Sequence, residues 1–387
     1  MSLLSNVHIN EFFRNKELNE FYAATIIMYF AEGLISIFVP IYLYKLGYSI
    51  PIIILFSFLI SLSFVVFSYL GARVVSKIGV KHSMLLSTPF NLAFYLGLGI
   101  LPKFPFLFFI LPILRSWKMI LFNYGYHLDF IKNSDGKRRG REISVILELF
   151  VIATALSPFI GGLIASFLGF NVLYFLGSML LVLGTFPLFL TKDGPEKIRF
   201  SKGTLWKSIL GKKERNNLIS LSSYGIESIV GKVLWPLFLI ILLVEVFKTG
   251  LIVTLSMLFS VVFFYFIGEL TDRNSRRKMF RIGTYFYALS WIGRVFVSSP
   301  FQAFFVDSYR NITEKIVHIP WLAKSYDIAK EKGYFKFIVG REVIFNLSRV
   351  VFLPVFMLIF YIGYKPFIIS FILAGIFTLG YQFLGKK

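Results

Sequence analysis

Apolar stretches of about 20 residues recur along the whole chain, and a helix of about that length crosses the hydrocarbon core of a bilayer. Twelve such runs lie at roughly 19–45, 50–72, 83–101, 105–130, 143–168, 170–190, 217–246, 250–270, 279–298, 302–324, 338–362 and 364–384. The tenth carries the most charge. Little sequence is left for a soluble domain. The runs exceed strand length, an open sheet edge cannot sit in lipid, and a membrane barrel would show short alternating segments. The sequence therefore predicts an all-α integral membrane protein with twelve transmembrane helices.

Charge placement predicts the orientation. The loops after spans two, four, six, eight and ten hold about 26 Lys and Arg; the odd-numbered loops hold only Lys45, Lys103, Lys248 and Lys365. Basic loops stay on the cytoplasmic side during insertion, so both termini are expected there, in a cell inner (cytoplasmic) membrane. The net charge of +21 is then accounted for by topology and by contact with anionic membrane lipids, and nucleic acid is not an expected partner. The first 20 residues contain Glu11, Glu17 and Glu20 and no apolar core of their own, unlike a cleaved signal. The chain has no cysteine. It shows no metal-ligand pattern, no nucleophile triad and no GxxxxGK[ST] loop. Neither a metal, a cofactor, an enzymatic reaction nor direct ATP drive is expected.

The two halves of the chain repeat. Glu32 recurs as Glu227 and Pro40 as Pro236, 195 and 196 residues on. "ARVVSKIGVK" (72–81) falls on "GELTDRNSRR" (268–277), "HLDFIK" (127–132) on "SYDIAK" (325–330), and "GREIS" (140–144) on "GREVI" (340–344). Matches in order at a nearly constant offset point to two pseudo-symmetric six-helix bundles, residues 1–190 and 217–387. The basic, polar stretch 191–216 between them reads as a cytoplasmic linker, with an amphipathic surface helix around Leu205–Leu210.

"GELTDRNSRRK" (268–278) joins spans eight and nine. It resembles the loop signature of the major facilitator superfamily: a glycine, an acid four residues on, then a basic cluster. Gly268, Asp272, Arg273, Arg276 and Arg277 match, and Ser275 replaces the second glycine. In the first-half copy Lys77, Gly79 and Lys81 match, Ala72 stands for the glycine with Gly71 one residue out of register, and Ser76 replaces the acid. "ALSPFIGG" (155–162) resembles the family's kink in helix five, with Ser157 in place of a glycine. There Pro158 removes a helical hydrogen bond, and Gly161 and Gly162 permit close packing, expected against the second bundle.

The resemblance implies a secondary active transporter that moves a small-molecule substrate by alternating access, with helices one, four, seven and ten lining a central cavity. The kink is associated in the family with exchangers, so proton-coupled efflux is the expected activity of a monomer. Uptake or uniport is the alternative, and a lipid flippase or a membrane sensor or scaffold is the alternative of another class. The motif loops supply an expected cytoplasmic gate of Lys77, Gly79, Asp129, Arg141, Gly268, Asp272, Arg273 and Arg277. An acid such as Asp272 can bond a neighbouring helix N-terminus and pair with an arginine, which latches one conformation.

The charges single out the same four helices without the resemblance. An ionised side chain at mid-bilayer costs roughly 2.5–3.5 kcal/mol on insertion scales, so such residues sit inside a bundle or cavity. Span one carries Glu32; span four Arg115 and Lys118; span seven Glu227 and Lys232; span ten Asp307, Arg310 and Glu314. These eight are the predicted coupling and cavity residues; span ten adds Lys315 and His318, and Glu148, Arg294, Arg349 and Glu245 are the exceptions on other spans or at a span end. Arg115 and Lys118 share a face at i,i+3, and Asp307, Arg310 and Glu314 form one stripe. Glu32 and Glu227 are expected to face each other across the cavity, with Glu32 the first candidate for a proton-carrying carboxylate.

Overall fold

The computed structural model describes residues 16–133, 154–189, 214–273 and 276–385, with side chains at 16–22, 132–133, 188–189, 262, 264–273 and 276–278 left aside. Every apolar run of the sequence holds a helix, and the described residues include no strand. Along the chain these are α1a (Lys16–Ile35), α1b (Phe38–Lys45), α2 (Ile50–Ile78), α3 (Val80–Ile100), α4 (Leu107–Asn133), α5 (Ser157–Phe167) and α6 (Phe170–Leu183). The second half follows as α7a (Arg215–Ile229), α7b (Trp235–Leu243), α8 (Val246–Arg273), α9 (Arg276–Arg294), α10 (Pro300–Lys332), α11 (Tyr334–Ile362) and α12 (Pro366–Leu379). By length and apolarity alone, seven membrane-crossing helices stand out among the described residues. Three more apolar segments are shorter, at Ser157–Phe167, Phe170–Leu183 and Val246–Val261, while α9 and α10 are long but more charged. The linker at 191–216 and its amphipathic stretch around Leu205–Leu210 fall almost wholly outside the described residues.

Local chemistry sets the helix ends. Ser299 caps α10, its hydroxyl accepting from the Gln302 amide at 3.3 Å, and Pro300 follows at the first helical position, where its missing N–H is no loss. Gly79 alone joins α2 to α3 at φ +92°, a conformation a side chain resists, so its place in the first-half motif has a backbone reason. A Cβ on Gly71 would run into Ile120 of α4, so the close helix approach expected of the motif glycine falls on Gly71 and not on the next position.

The halves repeat in their packing as in their sequence. α3 packs on α4 and α9 on α10; α2 on α4 and α8 on α10; α3 on α6 and α9 on α12. The bundles meet along α2 against α11 and along α5 against α8, two pairs exchanged by the same repeat. The apolar core falls into two clusters. One includes Leu34, Phe38, Trp235 and Leu239; the other, towards the termini, includes Met28, Leu121, Tyr326 and Val343. The mid-membrane charges lie at the junction of the two.

Candidate functional site

In the first bundle a single carboxylate gathers its neighbours. Glu32, one turn before the break at Ser36–Ile37, accepts from Asn91 Nδ2 (3.1 Å) and Tyr95 OH (3.1 Å), which lie one turn apart on α3. It accepts further from Arg115 Nη1 (3.3 Å) and Nη2 (3.0 Å) and from Lys118 Nζ (2.5 Å) on α4. Arg115 also donates to Asn91 Oδ1 at 2.9 Å. Arg115 and Lys118 do share a face, as their spacing predicts, and that face is the one turned to α1a. The side chains of Glu32, Arg115 and Lys118 are 15, 17 and 10 % exposed. Two cations on one carboxylate leave the cluster with one surplus positive charge.

The second bundle holds the same parts in another arrangement. Glu32, Tyr95 and Arg115 correspond to Glu227, Tyr287 and Arg310 at offsets of 195, 192 and 195 residues. Glu227 is buried and accepts from Tyr287 OH (2.6 Å) on α9 and Tyr381 OH (2.7 Å) after α12. It has no ion-pair partner among the described residues. Arg310 pairs instead with Glu314 one turn on (3.1 Å) and reaches Tyr287 OH only at 3.5 Å. Glu227 therefore does not face Glu32 across a cavity, as the repeat predicted; it points inward, towards α9 and α12. The stripe on α10 also divides, because Asp307 takes Arg294 of α9 at 2.9 Å. That guanidinium lies 4.1 Å from the ring centres of both Trp235 and Trp291, a cation held between two aromatic faces.

Span seven carries a local irregularity. Residues Val230–Leu234 form a π turn between α7a and α7b, with the Trp235 amide donating to Val230 O. Pro236 has no N–H for the Lys232 carbonyl, so an α-helical ladder cannot pass this point, and the chain widens. Pro40 stands at the matching place in span one, where the helix breaks outright. Lys232 lies inside the π turn. Its side chain is exposed and makes no hydrogen bond or ion pair among the described residues.

Contacts between the bundles occur at both ends. Towards the termini, Asn123 of α4 donates to Glu342 of α11 at 3.1 Å, and His127 hydrogen-bonds Tyr326 of α10 at 2.7 Å. Glu342 is also held by Arg341 at 3.0 Å. At the far end Lys45 donates to the Val244 carbonyl (3.1 Å), and the Phe159 amide to Thr254 Oγ1 (3.0 Å). The kink residues part company here. Pro158 follows the helical interruption at Leu156, and its carbonyl abuts Gly250 of α8. A Cβ on Gly162 would stand 3.3 Å from Val246 O, so this glycine does face the second bundle. Gly161 does not: its Cβ would strike the Leu34 carbonyl of α1a, within the first bundle.

Of the predicted gate, Lys77 is exposed at the end of α2 and Asp129 is buried on α4. Gly268, Asp272, Arg273 and Arg277 are helical in backbone, with side chains outside the described residues, and Arg141 lies outside them altogether. Sequence reasoning passed over Asn91, Tyr95, Tyr287 and Tyr381, which are neutral, and the pair Arg341–Glu342 on span eleven. Tyr95 and Tyr287 carried one usable signal, the 192-residue repeat; Tyr381 carried none. A cavity of about 340 Å³ opens beside Glu214, Lys332 and Lys336 at the start of α7a and reaches as far as Arg341, the partner of Glu342. The layer is the better candidate site, since charges at mid-membrane need a use that a terminal cleft does not. Beside it, Ile54, Val230, Val233, Leu353 and Phe356 leave no room for water.

Comparison with known proteins agrees with this architecture. The crystal structure of the nucleoside transporter NupG superposes with a TM-score of 0.65 at 13% identity, over 96% of this chain and 100% of that one. The crystal structure of the D-xylose-proton symporter superposes with a TM-score of 0.67 at 12% identity, over 94% and 96%. No curated protein sequence matches the chain significantly. The sequence profile of the Major Facilitator Superfamily matches residues 21–244, more than half of the chain, and on that match the protein belongs to this superfamily of membrane transporters.

Proposed function

We propose that the protein is a proton-coupled secondary transporter that exports a small organic solute across the cell inner membrane, working as a monomer. Its bundles, residues 1–190 and 217–387, rock about the charged layer, with the linker 191–216 and both termini cytoplasmic. Export is the direction argued by the kink at Pro158. Asp272 with Arg273 and Arg277, and Lys77 with Asp129 and Arg141, serve as latches on the cytoplasmic side.

The observation that carries the coupling is the contrast between the repeated half-sites. Glu32 is clamped by two cations, whereas Glu227 meets only hydroxyls, and hydroxyls can accept as well as donate. A protonated Glu227 keeps both contacts by turning one of them round. Arg310 is the switch. On Glu314 it leaves Glu227 free to hold a proton. Swung past Tyr287 onto Glu227, it reproduces the clamped arrangement of the first bundle and expels that proton. Glu227 thus takes the coupling role for which Glu32 was the first candidate, and Glu32 positions Arg115 and Lys118.

The test is a solute screen in proteoliposomes under an imposed pH gradient, repeated with Glu227→Gln. The variant should lose uphill flux and keep solute exchange. Uphill flux that still responds fully to the gradient in Glu227→Gln would defeat the assignment.

A further inference from the structure

The charged layer has a surplus of positive charge that no described side chain neutralises. Asp307, Glu314 and Glu342 each have their own arginine, and Glu32 is shared by two cations. Arg349 of α11 is held by three neutral oxygens, those of Gly225, Ser228 and Asn346. Lys232 has no hydrogen-bond or ion-pair partner among the described residues. It nevertheless sits at the bundle interface: Val230 and Val233 of its π turn lie beside Ile54 of α2 in the first bundle and Leu353 and Phe356 of α11, and the charge of Arg115 acts on its ammonium. A free, solvent-accessible ammonium, with a cluster one charge in surplus in the other bundle, gives the gap a positive field that an anion would neutralise. The π turn that presents it is the kind of helix irregularity that recurs at functional sites.

We infer that Lys232 and the Arg115–Lys118 cluster form an anion site between the bundles, and that the exported solute is an organic anion bearing a carboxylate or phosphate. The inference rests on the transporter reading and adds the substrate class. One negative group placed there is attracted by cations of both bundles, so binding draws the halves together, and a cationic solute is repelled. The rest of the solute lies against aromatic surface. Tyr29 and Tyr224 are equivalent by the repeat, at an offset of 195. Tyr224 stacks on Trp321 with ring centres 4.9 Å apart, and Tyr29 meets Tyr126 edge-on at 6.0 Å. Aromatic rings with polar edges suit a flat or apolar body attached to the acidic group.

The absence of native cysteine makes the electrostatics directly measurable. Gly231→Cys places a thiol beside Lys232, and its Cβ would stand 3.6 Å from Trp291 and 3.8 Å from Arg310, ordinary contact distances. The purified full-length variant is treated with sulfonatoethyl or trimethylammonium-ethyl methanethiosulfonate, reagents of similar size and opposite charge. The anionic reagent should react faster, and Lys232→Gln in the same background should lower the anionic-to-cationic rate ratio on the order of tenfold. Benzoate and phenyl phosphate are the probe ligands, with benzyl alcohol and benzylamine as neutral and cationic controls. Protection by benzoate assigns a carboxylate, and protection by phenyl phosphate a phosphate. Protection by neither, or by benzylamine, overturns the site, as does a rate ratio that ignores Lys232.

Should Gly231→Cys not fold, Lys232→Cys serves. Its thiol must react with the aminoethyl reagent, which rebuilds a primary amine and should restore binding of the protecting probe. A thiol that never reacts refutes the proposal, since Lys232 would then face lipid. Labelling requires no transport. An anion-selective protein without pH-driven flux would therefore sink the proton-coupled reading alone, and pH-driven flux with no anion preference would sink the site alone.

Discussion

Replacing Asp307 by asparagine isolates one of the two most deeply buried ion pairs among the described residues, the other being Arg341–Glu342. Arg294 is 1 % exposed, its Nη2 donates to Asp307 Oδ1 at 2.9 Å, and its Nε and Nη1 have no hydrogen-bond partner. Without the carboxylate charge the guanidinium keeps only the faces of Trp235 and Trp291. Those contacts exist before and after the substitution, so they do not offset the loss. Breaking a buried pair from one side costs about 3–5 kcal/mol, whereas replacing both partners by apolar groups of similar volume is often neutral. Asp307→Asn should fall near the lower end, about 3 kcal/mol, because the amide oxygen still accepts. Arg294→Met with Asp307→Leu should recover most of it. The readout is the fraction of protein that stays monodisperse after heating in detergent, followed by gradient-driven flux. A single variant as stable as the parent, or a double variant no better than the single, refutes the reasoning about the pair. A stable double variant that no longer couples would show that the pair serves transport and not stability alone.

Two further predictions concern the ends of the bundles. A Cβ on Gly250 would run into the Pro158 carbonyl, which is backbone and cannot give way, whereas one on Gly162 meets its nearest atom at 3.3 Å. Gly250→Ala should therefore destabilise the α5–α8 contact by about 1–3 kcal/mol, and by more than Gly162→Ala, whose backbone neighbours stand farther off, as thermal midpoints would report; equal midpoints would contradict the packing. Asp272→Asn should leave expression normal and cut flux severalfold, and parental flux in that variant counts against the latch.

The fold was legible because lipid imposes one rule on every span, and the repeat ordered the spans into halves. The site was legible only where it carries charge. Arg115, Lys118 and Glu32 announce themselves by their cost in a membrane, and spacing put Arg115 and Lys118 on one face, but it did not bring Glu32 to them. Asn91 and Tyr95 complete the same cluster, but neutral side chains cost little in a bundle and leave no trace in hydropathy. The repeat misled at Glu227, since equal positions in sequence do not oblige equal partners. Glu314, one turn beyond Arg310, captures the arginine that in the first half sits on Glu32. Pro236 signalled a distortion, but whether a proline breaks a helix, as Pro40 does, or widens it into a π turn depends on packing that one sequence does not display. Gly161 and Gly162 are adjacent and so point to different neighbours, which turns one inward and the other across the interface.

The central claim is that one carboxyl, Glu227, couples protons to solute. The most direct measurement traps a pH-sensitive dye inside proteoliposomes and imposes a gradient of the solute identified by the screen, with no initial pH difference. In the parent protein, solute leaving the lumen should bring protons in and acidify it. In Glu227→Gln the solute should still run down its gradient with no change in luminal pH. Acidification of equal extent in both proteins would contradict the account.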